Sequence, residues 1–107
     1  MSTPFEAIAE LDRVVHEPAR LAILSALSAC ASADFVFLQR ITGLSKGNLS
    51  SHLSKLEDAG LVSVVKAFAG RTPRTTVAIT DDGRGRIEAY WRDLERLGRA
   101  ARRWRPA

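Results

Sequence analysis

The sequence predicts a mainly helical domain that carries one β-hairpin. Three observations lead there. Apolar residues recur at spacings of three and four along most of the chain. From Leu61 to Thr80 that period gives way to alternation, broken in its middle by Gly70-Arg71-Thr72-Pro73-Arg74. Finally, 107 residues with 46% hydrophobic and 26% charged side chains have the make-up of one ordered domain rather than a disordered segment.

The elements follow in order. Phe5, Ile8, Leu11 and Val15 share one stripe, so a first amphipathic helix is expected over Phe5 to Val15. Glu17-Pro18 ends it, because proline lacks the donor and disfavours helix in the residue before it. Pro18 suits the first position of the next helix, which runs to about Ala29 with Leu21, Leu24 and Leu27 inward. Ser32, Ala33 and Asp34 mark a turn or a short extended piece, with Asp34 placed to cap a short helix over Val36 to Thr42. In that helix Leu38 and Ile41 are expected inward, Gly43 ends it, and Leu44 plugs the turn. Ser45 caps a further helix whose buried face is Leu49, Leu53 and Leu56, and Gly60 terminates it. Two strands follow, Leu61 to Phe68 and Thr75 to Thr80, joined by a turn with two arginines. Thr80 or Asp81 then caps a last helix reaching about Arg103, roughly 35 Å long.

Charge is distributed unevenly. Residues 1–37 hold two basic and five acidic side chains, residues 38–80 six and two, and residues 81–107 eight and five. With a formal net charge of +4, a polyanion would meet the middle and end of the chain, not its start. Apolar runs such as Leu61 to Val65 are too short to span a bilayer, and Glu6 and Glu10 do not fit a signal peptide, so a cytoplasmic protein is expected. Cys30 stands alone and reads as a small buried residue, although a redox-sensing thiol is the alternative. His16, His52 and Cys30 form no metal-ligand spacing, and nothing has the form of a nucleophilic triad or a phosphate-binding glycine loop. Neither a cofactor nor a metal nor an enzymatic activity is expected.

The segment 36–59 is a short helix, a tight glycine turn and a second helix, which is the helix-turn-helix arrangement, and the basic hairpin over 61–80 follows as a wing. With the leucine face of the second helix buried, Gly47, Ser51, Ser54 and Asp58 point away from it. Asn48 and Lys55 lie on one flank and Ser50 on the other. A small polar face fits a major groove about 12 Å wide, and serine is a mediocre helix former with little reason to crowd a merely solvated surface. The candidate DNA contacts are therefore Ser45, Lys46, Asn48, Ser51, His52 and Lys55 on the helix, with Arg71 and Arg74 at the wing tip.

Several stretches resemble one known group. They are Leu11-Asp12-Arg13, His16-Glu17-Pro18-Ala19-Arg20-Leu21-Ala22-Ile23-Leu24, Gly43-Leu44-Ser45-Lys46-Gly47-Asn48-Leu49-Ser50-Ser51-His52-Leu53, Leu56-Glu57-Asp58-Ala59-Gly60-Leu61-Val62 and Gly70-Arg71-Thr72-Pro73-Arg74-Thr75. Together they resemble winged helix-turn-helix transcriptional regulators of the MarR-like and ArsR-like group, over roughly Leu11 to Trp91. The resemblance implies a three-helix core with a β wing, a homodimer, and the helix that starts at Ser45 lying in the major groove of double-stranded DNA. The cysteine-rich segment of the metal-sensing branch is missing. The chain is also shorter than typical MarR-like proteins, which argues against a large ligand pocket between helices; a small-molecule effector is left open and unidentified.

A single domain over 1–107 is thus expected, with 5–15 and 81–104 as dimerisation helices. Their apolar stripes exceed what so small a core covers, and the expected interface comprises Phe5, Ile8, Leu11, Ile87, Trp91, Leu94 and Gly98, with Trp104 beyond. The function expected is sequence-specific regulation of transcription, as a repressor on a (pseudo)palindromic operator. The competing readings are a winged helix used for protein contact and a nonspecific nucleic-acid-coating protein, the latter suggested by Arg99, Arg102, Arg103 and Arg105.

Overall fold

The computed structural model describes residues 2–107. Five helices and three strands follow one another as α1 (Pro4–Ala9), α2 (Pro18–Cys30), β1 (Ser32–Asp34), α3 (Phe35–Thr42), α4 (Lys46–Asp58), β2 (Val62–Ala69), β3 (Thr72–Ile79) and α5 (Asp81–Arg103). The sheet is antiparallel in the order β1-β3-β2.

Local chemistry sets most of the boundaries. Pro18 opens α2, while the Glu17 carboxylate accepts the Arg20 backbone N–H at 2.8 Å. Asp34 accepts from Phe37 N at 2.8 Å, and Ser45 from Asn48 N at 3.1 Å. Gly43 ends α3 in the left-handed region at φ 72°, where a glycine is free of strain. Thr80 works twice: its hydroxyl accepts from Gly83 N at 3.0 Å and donates to Gly60 O at 2.7 Å, tying the start of α5 to the turn after α4.

The core lies where α2, α4 and α5 meet the sheet. Ile23, Leu24 and Leu27 of α2, Leu38 of α3, Leu49 and Leu56 of α4, Leu61 and Val77 are fully enclosed. The leucine face read from α4 is thus the buried face.

Three expectations need correction. The first helix stops at Ala9 instead of reaching Val15. Leu11 and Val15 are buried as expected, but in a turn, because the Asp12 carboxylate accepts the N–H groups of Val14 at 3.1 Å and Val15 at 3.3 Å and offers the backbone an alternative to helix. Ile41 is 47% exposed, since the eight residues of α3 turn only Leu38 fully inward. Ser32–Asp34 is the short extended piece of the two alternatives, a strand paired with β3. Cys30 is exposed rather than buried, as the last residue of α2.

Asp12 also binds Arg86 of α5 in a two-pronged ion pair, both contacts at 2.8 Å. That guanidinium holds the Asp12 carboxyl below the usual carboxylate range. His16 Nδ1 and the Tyr90 hydroxyl lie 2.6 Å apart, and burial pushes the Tyr90 hydroxyl's pKa up. Both pairs fasten the α1–α2 connection to the last helix.

Ala31 carries backbone strain. It sits at φ 67°, ψ −48°, a conformation that a Cβ disfavours, held there by bonds from its N–H to Leu27 O at 2.7 Å and to its carbonyl from Ile79 N at 3.1 Å. Ala31→Gly is expected to stabilise the fold by about 1 kcal/mol, the relieved strain outweighing the added freedom of the unfolded chain. Paired thermal melts check it, and a lower melting temperature for the variant would refute it.

Candidate nucleic-acid interface

α4 and the wing build one surface. The buried leucines fix the rotation of α4, so Lys46, Gly47, Asn48, Ser51 and Lys55 are all exposed. Ser45 stands just before the helix with its hydroxyl committed to the cap, leaving its backbone and the first free amides of α4 to face an anion. β2 leaves the core after Val64 and runs out to a turn at Gly70-Arg71, from which β3 returns to the core at Val77, and Arg71 and Arg74 are exposed.

The register decides which wing residues share a face. Val64 pairs with Val77, Lys66 with Thr75, and Phe68 with Pro73. Side chains directly opposite in an antiparallel ladder lie on the same side. The core-facing row therefore continues outward as Lys66/Thr75 and then Phe68/Pro73. Arg74, paired with Ala67, is on the opposite face.

Between α4 and that row lies a groove of about 260 Å³, floored by Phe35, Leu53 and Val64 and edged by Lys46, Lys66 and Ser50. A second, of about 430 Å³, continues from Lys46 toward Pro73 and Arg74. Lys46 borders both, so the N-terminal end of α4 is the point where helix and wing converge. The surface presents Lys46, Lys55, Lys66, Arg71 and Arg74 with helix-terminal amides and small hydroxyls, donors suited to an anionic partner such as phosphate, while Glu57 and Asp34 are the acidic residues lining the two grooves.

His52 is placed differently from the other candidates. It is half-buried, with Nδ1 3.6 Å from Glu17 Oε2 and 3.3 Å from Arg20 Nη1. Arg20 in turn donates through Nε to Val14 O at 2.7 Å. Burial works against ionisation of Glu17, but the backbone N–H groups of Arg20 and Ala19 and the neighbouring His52 and Arg20 outweigh it and hold its pKa low. This cluster joins the start of α2 to the middle of α4, so His52 positions the helix from within.

Lys66 lines the groove although sequence reasoning does not place it among the contacts, and Ser50 and Ser54, read as lying on the flank and outward face of α4, line it as well. The alternation Val64, Lys66, Phe68 carried the signal for Lys66: a residue two places from an inward valine belongs to the same face.

The expected dimer residues divide into two sets. Leu11 and Ile87 are 6% and 1% exposed, so they belong to the protomer's own core and offer almost no surface to a partner. Phe5 and Trp91 are 47% and 42% exposed, with Ile8, Leu94 and Gly98 between these limits. Phe5 packs edge-on against Trp104, ring centres 5.3 Å apart, so α1 rides on the end of α5. The radius of gyration is 16.6 Å, against about 13 Å for a compact domain of this length. Among the described residues, no group of His, Cys, Asp or Glu is arranged to hold a metal ion, and no helix is long and apolar enough to cross a membrane.

Comparison with known proteins agrees with this geometry. Residues 19–97 match the family described as winged helix DNA-binding domain. A transcriptional regulator homologue protein from Pyrococcus horikoshii OT3 superimposes with a TM-score of 0.82 at 33% identity, covering 90% of this chain and 94% of that one. The HTH-type transcriptional regulator YgaV of Escherichia coli (strain K12) is 40% identical over 57 residues, which are 53% of this chain and 58% of that protein. A MarR-family transcriptional regulator from Silicibacter pomeroyi shares the fold at a TM-score of 0.66 and 22% identity, over 89% of this chain and 63% of its own.

Proposed function

We propose that this chain, which belongs to the winged helix DNA-binding domain family, is a transcriptional regulator of MarR type that represses transcription as a homodimer on a (pseudo)palindromic duplex operator. The observation that carries this reading is the convergence of α4 and the wing at Lys46: a small, polar, groove-sized helix face stands beside a hairpin that ends in two free arginines. Lys46, Asn48, Ser51 and Lys55 reach base edges and the nearest phosphates, while Arg71 and Arg74 reach flanking backbone or the minor groove. His52 supports the helix and Ser45 caps it.

The two groups of contacts fail differently. Asn48→Ala is expected to relax sequence preference and cost about 1–3 kcal/mol at one base position. Arg74→Ala is expected to weaken binding to all duplexes alike and lower the salt slope by about one counterion. Titrations of both variants against selected genomic fragments and scrambled duplexes at several salt concentrations check this. Unchanged binding in both would move the contact surface elsewhere and favour the protein-contact reading.

Dimerisation rests on the exposed aromatic residues and the elongated protomer. One helix and one wing bury too little for tight specific binding, and a two-fold copy doubles the contacts. Trp91→Glu is expected to weaken self-association by about 2 kcal/mol or more, roughly thirtyfold, with the protomer still folded. Sedimentation across a concentration series reads it, and a variant as dimeric as the parent would place the interface elsewhere.

A further inference from the structure

The outward face of α5 has no role in the surface described so far. Arg92, Arg96, Arg99 and Arg103 follow one another at spacings of four, three and four, so they form a single ridge about 16 Å long. All four are exposed. The ridge lies directly opposite Ile87, Tyr90 and Leu97, the residues by which α5 enters the core. Trp91 and Gly98 lie on the flank, so a partner copy packed there leaves the arginines in solvent.

Two facts set the ridge apart from an ordinary solvated face. Among the described residues, Arg96 is the only one of the four with a carboxylate within 4.0 Å, Asp93 at 3.5 Å, and that pair is well exposed. Glu88 and Glu95 stand four residues before Arg92 and Arg99, the favourable order for helix pairs, yet neither pair closes. Secondly, cations three and four residues apart repel and destabilise a helix. The helix dipole accounts for Arg102 and Arg103 in the last turn, but not for Arg92 and Arg96. A local penalty without a return inside the protomer points to an external anion.

We infer that this ridge binds the backbone of a second DNA duplex, so that the regulator holds two duplex segments at once. The inference rests on the DNA-binding reading above. Duplex DNA carries a negative charge about every 1.7 Å of its axis with both strands counted, and about every 3.4 Å on one strand, so a ridge of this length spans several phosphates. Arginine forks are suited to such oxygens. The ridge bears no aromatic side chain on which single-stranded bases would stack, and no apolar row that would enter a membrane surface.

The experiment uses the full chain and the variant Arg92→Gln, Arg96→Gln, Arg99→Gln. Protein is loaded on an immobilised random-sequence duplex, and capture of a second, fluorescent duplex is measured across a salt series, beside single-stranded RNA and phosphatidylserine vesicles. The parent is expected to capture the second duplex. The variant is expected to load equally on the first duplex, to capture the second about tenfold less, and to lose about three counterions from the salt slope of capture. Equal capture by the variant overturns the inference, as does a parent that loads but captures nothing, or captures RNA or vesicles in preference to duplex. A parent that fails to load on the first duplex overturns the DNA-binding reading itself, so the two failures are told apart by the loading step. Thermal melts of the variant, expected to match or exceed the parent, show that any lost capture is not lost folding.

Discussion

A chain ending at Asp82 is expected to be unfolded in water, not merely monomeric. Removing the rest of α5 takes Ile87, Tyr90 and Leu97 out of a core in which each is at most 4% exposed. At about 1.5–3 kcal/mol per buried side chain, that loss is roughly 5–9 kcal/mol, comparable with the whole stability of a small domain. The Asp12–Arg86 and His16–Tyr90 pairs disappear with it. Far-UV circular dichroism with a urea titration reads the outcome, and a cooperative transition in the shortened chain would show that α5 is an appendage after all. The last helix therefore serves the protomer's own core first, and the proposed association is tested by single changes on its exposed flank, such as Trp91.

Gly83→Ala is expected to cost about 3 kcal/mol, at the upper end of the range for overpacking, and to lower the melting temperature by about 15 °C. A Cβ on Gly83 would collide with the Leu61 carbonyl oxygen, lie 3.0 Å from the Leu61 carbonyl carbon and 2.9 Å from Ile79 Cγ1. The Leu61 oxygen has no room to retreat, because it also accepts the Thr80 backbone N–H at 3.0 Å. Gly85 supplies the contrast: it is exposed, in the same helix, with open space around it, and its change to alanine is expected to stabilise by up to about 1 kcal/mol. Calorimetry on both variants decides the matter, and a Gly83 variant that melts with the parent would show that α5 shifts freely at its start.

Sequence periodicity made much of this molecule legible for identifiable reasons. The leucines of α4 and the alternation of the wing each repeat with the period of their own element, and capping residues such as Ser45, Asp34 and Thr80 act within three residues of where they stand. What escaped depends on partners far apart in the chain. Nothing near Gly83 announces that Leu61 will press on it. Asp12 finds Arg86 across 74 positions, and the carboxylate thus fixed folds Leu11 and Val15 into a turn although their spacing is helical. In the sequence His52 is open between a structural and a phosphate-contacting role, because Glu17 and Arg20 reach it only after α2 and α4 have packed. In the candidate surface, the helix residues and wing arginines were visible as local chemistry, whereas Lys66 entered through the hairpin register.

The short strand β1 has one more consequence. Asp34 is both its last residue, paired with Thr76 of the wing, and the cap that starts α3. The hairpin is thereby riveted to the strand that feeds the helix-turn-helix, while the Thr80 hydroxyl pins its other end to the turn after α4. These ties fix the base of the wing relative to the helix-turn-helix. Helix and wing act as a fixed-jaw calliper, and a duplex that is to touch both must itself adopt the groove width the jaws allow. On the proposed function, stiffness of the DNA would then enter the selection of sites at base pairs that no side chain touches.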